Sequence, residues 1–398
     1  MMSDLTLLLS GCCLILMSLQ LPAVAIWLSR LLRGPFRHPP LVPQHPTPDM
    51  LGTVSVVVPT LNEAERIGPC LAGLSRQSYE VREIIVVDSH SEDGTVDQVK
   101  SAQLHDPRIR LIFDEPLPTD WVGRPWALHT GFLHSSEQSE WVLGIDADTR
   151  PQPELAASLI LVAQSEGYDL VSLSPRFILK TPGEFWLQPA LLMTLIYRFG
   201  ASGEAPNAPE RVMANGQCFL CRRSRLVDLD GYTHARHSFC DDVTLARYAA
   251  RQGARVGFLD GARLISVRMY EGAAETWREW GRSLDLKDAG SSLQTWGDVG
   301  FLIAVQGVPI IVTLGLSMAI SLGLRTPFIW AALGINGGLV AIRFALLGAI
   351  ASSYDWAASK SASWAFWLSP LADPLAVYRI FLSARQTPTQ WRGRTYHS

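Results

Sequence analysis

Val54-Ser55-Val56-Val57-Val58 runs straight into Pro59, Ile84-Ile85-Val86-Val87 ends on Asp88, and Trp141-Val142-Leu143-Gly144-Ile145 ends on Asp146. Each is a short apolar run with a polar or proline stop. Ile109 to Phe113 is a fourth run of the same kind. Helix-like segments lie between them: one opens at Leu61-Asn62-Glu63-Ala64-Glu65 and reaches about Ser75, and one follows the turn Ser91-Glu92-Asp93-Gly94-Thr95 to about Leu104. A third covers Trp126 to Leu133. Continuous apolar strands alternating with helices predict an α/β domain whose mostly parallel sheet is covered on both faces. Ligands of such sheets bind at the carboxyl ends of the strands. Pro59, Asp88 and Asp146 therefore gather at the rim where a nucleotide would sit.

Outward from this domain the charge thins. The chain has 398 residues, 48% hydrophobic and 18% charged, yet charges recur every few positions from about 53 to 298. Asp4 to Arg30, Asp298 to Arg325 and Arg325 to Asp355 enclose long uncharged runs, the last broken by Arg343. About 20 apolar residues span a bilayer as a helix. The pattern predicts a soluble domain carried by N- and C-terminal transmembrane helices. Arg30, Arg33 and Arg37 follow the first run while Met1-Met2-Ser3-Asp4 precedes it. By the positive-inside rule this is an uncleaved anchor with its N-terminus outside and the domain on the cytoplasmic face. Residues 1–30 are read as the anchor, 31–53 as a proline-rich linker, and 54–270 as the catalytic domain. An amphipathic interfacial stretch follows at 271–297, then two spans within 298–350. Residues 351–398 form a re-entrant or interfacial helix and a basic tail. Arg343 is expensive in a bilayer and must face protein, water or headgroups.

Other classes fall away. A net charge of -3 and a pI near 6.3 give no basic field for nucleic acid. Six cysteines are too few for a disulfide scaffold, and Cys218-x-x-Cys221 has no second pair at zinc spacing. No G-x-G-x-x-G follows the first strand, and no G-x-x-x-x-G-K-[ST] exists. Phosphate must be handled otherwise. Asp146-Ala147-Asp148 places two carboxylates two residues apart at a strand end. That suits a hard cation, Mg²⁺ or Mn²⁺, which takes one or two carboxylates and completes its shell with substrate phosphates. Asp241-Asp242 opens a helix running to about Gln252. Acids there favour the helix dipole, and they also offer a general base whose pKa its neighbour would raise.

Four motifs in order, Val56-Val57-Val58-Pro59-Thr60-Leu61-Asn62-Glu63, then Val86-Val87-Asp88 through Gly94-Thr95, then Asp146-Ala147-Asp148, then Asp241-Asp242-Val243, carry a resemblance to glycosyltransferase family 2 on the GT-A fold. The likeness covers residues 54–270. Val122-Gly123-Arg124-Pro125-Trp126-Ala127-Leu128, Leu368 to Pro374 and Trp391 to Tyr396 are similar to the membrane-anchored branch acting on carotenoids and hopanoids, nearest to carotenoid glycosyltransferases of the myxoxanthophyll type.

The resemblance implies that Pro59, Thr60, Asn62 and Glu63 shape the nucleotide pocket and that Asp88 holds base or ribose. Asp146 and Asp148 would carry the metal on the diphosphate, and Asp242 would deprotonate the acceptor. Asp241 replaces the usual Glu before that base. Arg124 stands where many relatives have Lys and would reach the diphosphate. It also implies a nucleotide-sugar donor, UDP by default, and a hydrophobic acceptor in the membrane. One base without a covalent partner implies inversion at the anomeric carbon, by the single-displacement logic of inverting glycosidases. Processive synthases of polysaccharide carry Q-x-x-R-W, whereas this chain has Glu275-x-x-Arg278 with Trp280 out of place, so transfer of one sugar is expected. The alternatives are transfer to a polyprenyl phosphate, hopanoid or glycerolipid, and a non-catalytic membrane component that binds nucleotide sugar.

Overall fold

The computed structural model describes residues 2–280, 284, 286–386, 390–391 and 394–395. The chain divides into two compact units. One is Arg37–Ile178 with Ser202–Met269 and Pro388–Ser398; the other is Met1–Phe36 with Leu179–Ala201 and Tyr270–Thr387.

The first unit is built on strands β1 (Val54–Thr60), β2 (Val81–Asp88), β3 (Ile109–Phe113), β4 (Trp141–Ile145), β5 (Thr149–Pro151), β6 (Leu170–Ser174), β7 (Arg176–Phe177), β8 (Cys218–Arg222), β9 (Val256–Asp260) and β10 (Ile265–Val267). Seven form one sheet in the order β3-β2-β1-β4-β8-β6-β9, and β5-β10-β7 make a second. All neighbours in the large sheet run parallel except β8, which is antiparallel to β4 and β6. The mostly parallel α/β sheet expected from the four apolar runs is present. The period of two explains why those runs are continuous. Val54, Val56, Val58, Ile84, Val86 and Leu143 pack in one core, while Val57, Ile85, Val87 and Val142 pack in another on the opposite face. Each buried aliphatic side chain stabilises by about 1.5–3 kcal/mol, so both faces hold the sheet. Cys218 and Cys221 fall on opposite faces, buried in different cores. As free thiols they cannot share a metal or form a bridge from there.

Register places the rim. Thr60 pairs with Asp88, and Asp88 with Phe113. The helix Gly123–His134 lies against β1 and β2 with no side chain at Gly131, where a Cβ would run into Val57. This close approach brings the helix's first turn over the carboxyl ends of β1 and β4.

The second unit contains the helices Met2–Leu31, Pro182–Phe199, Ser292–Leu302, Pro309–Ser321, Pro327–Ile350 and Asp373–Arg385. Two stretches, Asp4–Phe36 and Pro327–Ser353, are long and apolar enough to cross a membrane. The first of the two spans expected within 298–350 is a bent helix pair that together is long and apolar enough to cross a membrane. Ser292–Gly307 and Pro309–Ser321 meet at a 40° bend after a π-helical turn at Ile303–Gly307. Pro309 supplies the reason, since it has no N–H to give and its ring clashes with the preceding turn. Pro182–Phe199 belongs to this unit rather than to an unbroken domain over 54–270. Residues 37–53 lie with the sheet unit, where Leu41 donates its N–H to the Asp260 carbonyl at 2.8 Å.

Arg343 faces protein. Its Nε donates to Asp373 Oδ2 at 2.8 Å, and its Nη2 donates to Asp373 Oδ1 at 3.1 Å and to Ser369 Oγ at 2.9 Å. Gln306 Nε2 also donates to Asp373, at 3.1 Å. Gln20 and Asn336 exchange a reciprocal pair of amide hydrogen bonds at 3.0 and 3.1 Å. Trp277 lies in a π-helical turn under Arg379, whose Nε donates to the Trp277 carbonyl at 2.9 Å. Arg282, Arg392, Gly393 and Tyr396 lie outside the described residues.

Candidate active site

The carboxyl ends of β1 and β4 and the first turn of Gly123–His134 enclose an open cleft of about 500 Å³. Pro59, Thr60, Glu63, Arg124, Asp146 and Asp148 line it, so six of the residues singled out in the sequence meet in one place. Asn62 and Asp88 act from behind. Asp88 is fully buried and its carboxylate is spent on the chain itself. Oδ1 accepts from Ser91 N at 2.8 Å, and Oδ2 accepts from Ser91 Oγ at 2.7 Å and Thr60 Oγ1 at 3.0 Å. It fixes the loop after β2. Asn62 does the same from the loop after β1. Its φ of 54° is the left-handed conformation an Asn tolerates. Its N–H donates to Ser91 Oγ at 2.8 Å, and its Oδ1 accepts from Glu92 N at 2.9 Å.

Asp146 and Asp148 follow β4 as the sequence indicated. Among the described residues no group of three or more His, Cys, Asp or Glu could hold a metal by itself. That donor set fits Mg²⁺ or Mn²⁺, which accepts two carboxylates and takes remaining oxygens from phosphates.

The acid pair sits in the first turn of Asp241–Arg251 and behaves as two different groups. Asp241 is buried and hydrogen-bonded to Arg124 Nη1. Asp242 keeps a partly open edge and accepts from Gly216 N at 2.6 Å. Burial pushes the Asp242 carboxyl up to about 6, with Asp241 adding to the rise and Arg124 opposing it. A carboxylate poised there is suited to take a proton near neutrality.

Arg124 ties the site together. Its Nε donates to Asp146 Oδ1 at 2.9 Å, and its Nη2 reaches the same oxygen at 2.8 Å and the Gly216 carbonyl at 2.8 Å. Burial alone would lower its pKa, but Asp146, Asp241 and Asp242 together hold it well above the ordinary value. The guanidinium is thus held by protein oxygens on every nitrogen.

Gly216 lies in the turn Asn215-Gly216-Gln217, which the resemblance associates with the donor sugar and acceptor. Its N–H meets Asp242, its carbonyl meets Arg124, and a Cβ there would collide with the Arg124 guanidinium. That turn precedes β8, and its backbone polar groups must face something. Asn215 anchors that turn, its N–H donating to Ser172 Oγ at 2.7 Å and its Nδ2 to the Leu173 carbonyl at 3.1 Å.

The family model described as glycosyl transferase family 2 matches residues 55–229. The 4,4'-diaponeurosporenoate glycosyltransferase of Staphylococcus haemolyticus is 26% identical over 235 residues, 58% of this chain and 61% of that protein. The Staphylococcus aureus protein of the same name is 23% identical over 243 residues, 60% of this chain and 62% of its own length. The chain thus spans about three-fifths of the length of these relatives. Among solved structures, the mannosyltransferase PcManGT from Pyrobaculum calidifontis, in complex with GDP-Man and Mn²⁺, superposes with a TM-score of 0.52 at 18% identity. The superposition covers 95% of this chain and 98% of that one. Residues 55–229 are therefore similar to glycosyl transferase family 2, and the superposition shows the GT-A fold.

Proposed function

We propose that the chain moves a single sugar from a nucleotide-diphosphate sugar, UDP-linked by preference, to a hydroxyl of a carotenoid-type acceptor held in a membrane, with inversion at the anomeric carbon. The observation that carries this reading is the division of labour among the acids. Asp146 and Asp148 face the cleft, while Asp242 stands apart, raised toward 6 and held by Gly216 N.

Thr60, Glu63 and the loop pinned by Asp88 and Asn62 would seat the nucleotide. A divalent cation bound at Asp146 and Asp148 would neutralise the leaving diphosphate as a Lewis acid. Asp242 would take the acceptor hydroxyl proton as the oxygen attacks from the face opposite the leaving group. Each turnover then breaks one glycosidic bond to phosphate, forms one to the acceptor, and leaves the proton on the Asp242 carboxyl. No side chain is positioned as a second nucleophile in this scheme, which is why inversion is inferred.

The acceptor class rests on two supports. The staphylococcal relatives act, by their names, on diaponeurosporenoate, and the chain carries two helices of membrane-spanning length and apolarity. The arginines after the first helix support a domain on the cytoplasmic side. The test is chromatography with mass detection of pigments and lipids from a strain lacking the gene, complemented with wild type or Asp242→Asn. Loss of a glycosylated carotenoid and build-up of its aglycone, restored by wild type alone, supports the proposal. An unchanged carotenoid profile with a missing polyprenyl-phosphate sugar, hopanoid or glycerolipid overturns the acceptor, and no glycoside change at all overturns the activity.

A further inference from the structure

Arg124 lies between two regions. One is the open cleft shared with Asp146 and Asp148; the other is a packed recess against Gly216, Tyr232, Asp241 and Asp242, with no room for a water molecule while Arg124 is in place. Its side chain is only 13% exposed and every nitrogen is engaged, Nε and Nη2 on Asp146, Nη2 on Gly216, Nη1 on Asp241. It is thus a wall between the cleft and the acid pair, and a cation seated on an oxygen that a metal would claim.

We propose that Arg124 is a built-in stand-in for the divalent cation, which makes metal binding depend on the nucleotide. The inference rests on the donor site proposed above. Charge argues for it. Asp146, Asp241 and Asp242 lie close enough to act on one guanidinium, and a cluster of three acids around a single cation is stable only while some positive charge remains there. A metal ion arriving alone meets Arg124 already on Asp146 Oδ1 and is repelled by it. A nucleoside diphosphate offers what the protein oxygens offer, a planar array of anionic acceptors that a guanidinium grips in bidentate fashion. When the diphosphate takes the guanidinium, Asp146 is released to the metal, and the wall between the cleft and the Asp242 recess is withdrawn in the same movement. The geometry therefore couples donor loading to access to the base. Arg124 acts here as a positioning residue.

The experiment is a binding measurement on the full chain in detergent, without turnover. Mn²⁺ is titrated by electron paramagnetic resonance, alone and with UDP or GDP. For wild type, nucleotide should tighten Mn²⁺ binding by roughly tenfold or more, the scale of one charge-assisted hydrogen bond released. In Arg124→Met, Mn²⁺ alone should bind about tenfold more tightly than it does to wild type alone, so that the nucleotide dependence shrinks to what the phosphate oxygens themselves supply. Should the uncompensated acids prevent Arg124→Met from folding, Asp241→Asn loosens the same guanidinium from its far side and should recover part of the gain for Mn²⁺ alone. Equal Mn²⁺ affinity with and without nucleotide in wild type, or the same nucleotide dependence in wild type and both variants, overturns the stand-in role and leaves the donor site intact. Failure of wild type to bind either nucleotide in the presence of Mn²⁺ overturns the glycosyltransferase reading and this inference with it.

Discussion

Asp242→Asn separates chemistry from stability more sharply than any other change at this site. The substitution is isosteric, and its amide oxygen can still accept from Gly216 N, which now lies 2.6 Å from Asp242. What is lost is the proton acceptor. Removing a positioned base lowers the rate by about 10²–10⁴, or about 3–5 kcal/mol of transition-state stabilisation at 1.36 kcal/mol per decade. The wild-type pH profile should show the same group. With its pKa near 6, Asp242 is mostly ionised at pH 7. One unit below the pKa only about one-tenth of it is ionised, so kcat/KM should fall about tenfold per unit on the acid side. The sign for stability is opposite. The folded pKa lies above the ordinary 3.8, so the folded chain binds this proton more tightly than the unfolded chain. Asp242 contributes its full stability below about pH 4 and loses it as pH rises from there through 6. At pH 7 the neutral Asn should therefore raise the melting temperature while it abolishes transfer. The assays are sugar transfer to extracted acceptor between pH 5 and 8, and thermal unfolding of the purified chain at pH 7. Activity of Asp242→Asn within threefold of wild type would refute the base assignment and point to an acceptor that arrives already anionic. A flat profile between pH 5 and 7 would refute it equally.

Other outcomes follow from the same geometry. Asp146→Asn should abolish nucleotide-dependent Mn²⁺ binding and reduce transfer by about 10² or more, read by metal titration alongside activity. Gly216→Ala drives a Cβ into the Arg124 guanidinium. It should depress kcat more than donor affinity, with thermal stability reduced by about 1–3 kcal/mol, the range for overpacking. Leu143→Ala, at a fully buried position between β1 and β8, should cost about 2–5 kcal/mol in unfolding measurements without altering the pH profile of the remaining folded enzyme. Asp373→Asn leaves Arg343 charged and buried without its carboxylate partner, and should destabilise by about 3–5 kcal/mol in detergent melts.

The apolar runs at 54–58, 84–87 and 141–145 disclosed the sheet because burial on both faces suppresses the alternation that would otherwise blur a strand. The acids at their ends disclosed the cleft for the same reason, since a charge is tolerated only where a strand leaves the core. Roles were harder to read than places. Asp88 looks like a ligand contact in one dimension, but its three hydrogen bonds come from Thr60, 28 residues back, and from Ser91 just beyond it. The contacts that hold Arg124 were not legible, because Asp146, Gly216 and Asp241 lie 22, 92 and 117 residues away. The helix Pro182–Phe199 is buried on most sides and carries no clean polar stripe to mark which unit claims it. The antiparallel β8 was equally hidden, since strand direction leaves no trace in composition.

The pairing of Arg343 with Asp373 also sets an order of events during synthesis. Arg343 leaves the ribosome 30 residues before its counter-ion. In a bilayer, a helix carrying an arginine near its centre enters at a cost of about 2.5–3.5 kcal/mol for that residue. On the proposed membrane reading, the helix Pro327–Ile350 carries an unneutralised charge until the segment bearing Asp373 is made. Ser369 and Asp373 then close on it together. A chain ending between 343 and 373 would leave Arg343 without its carboxylate partner.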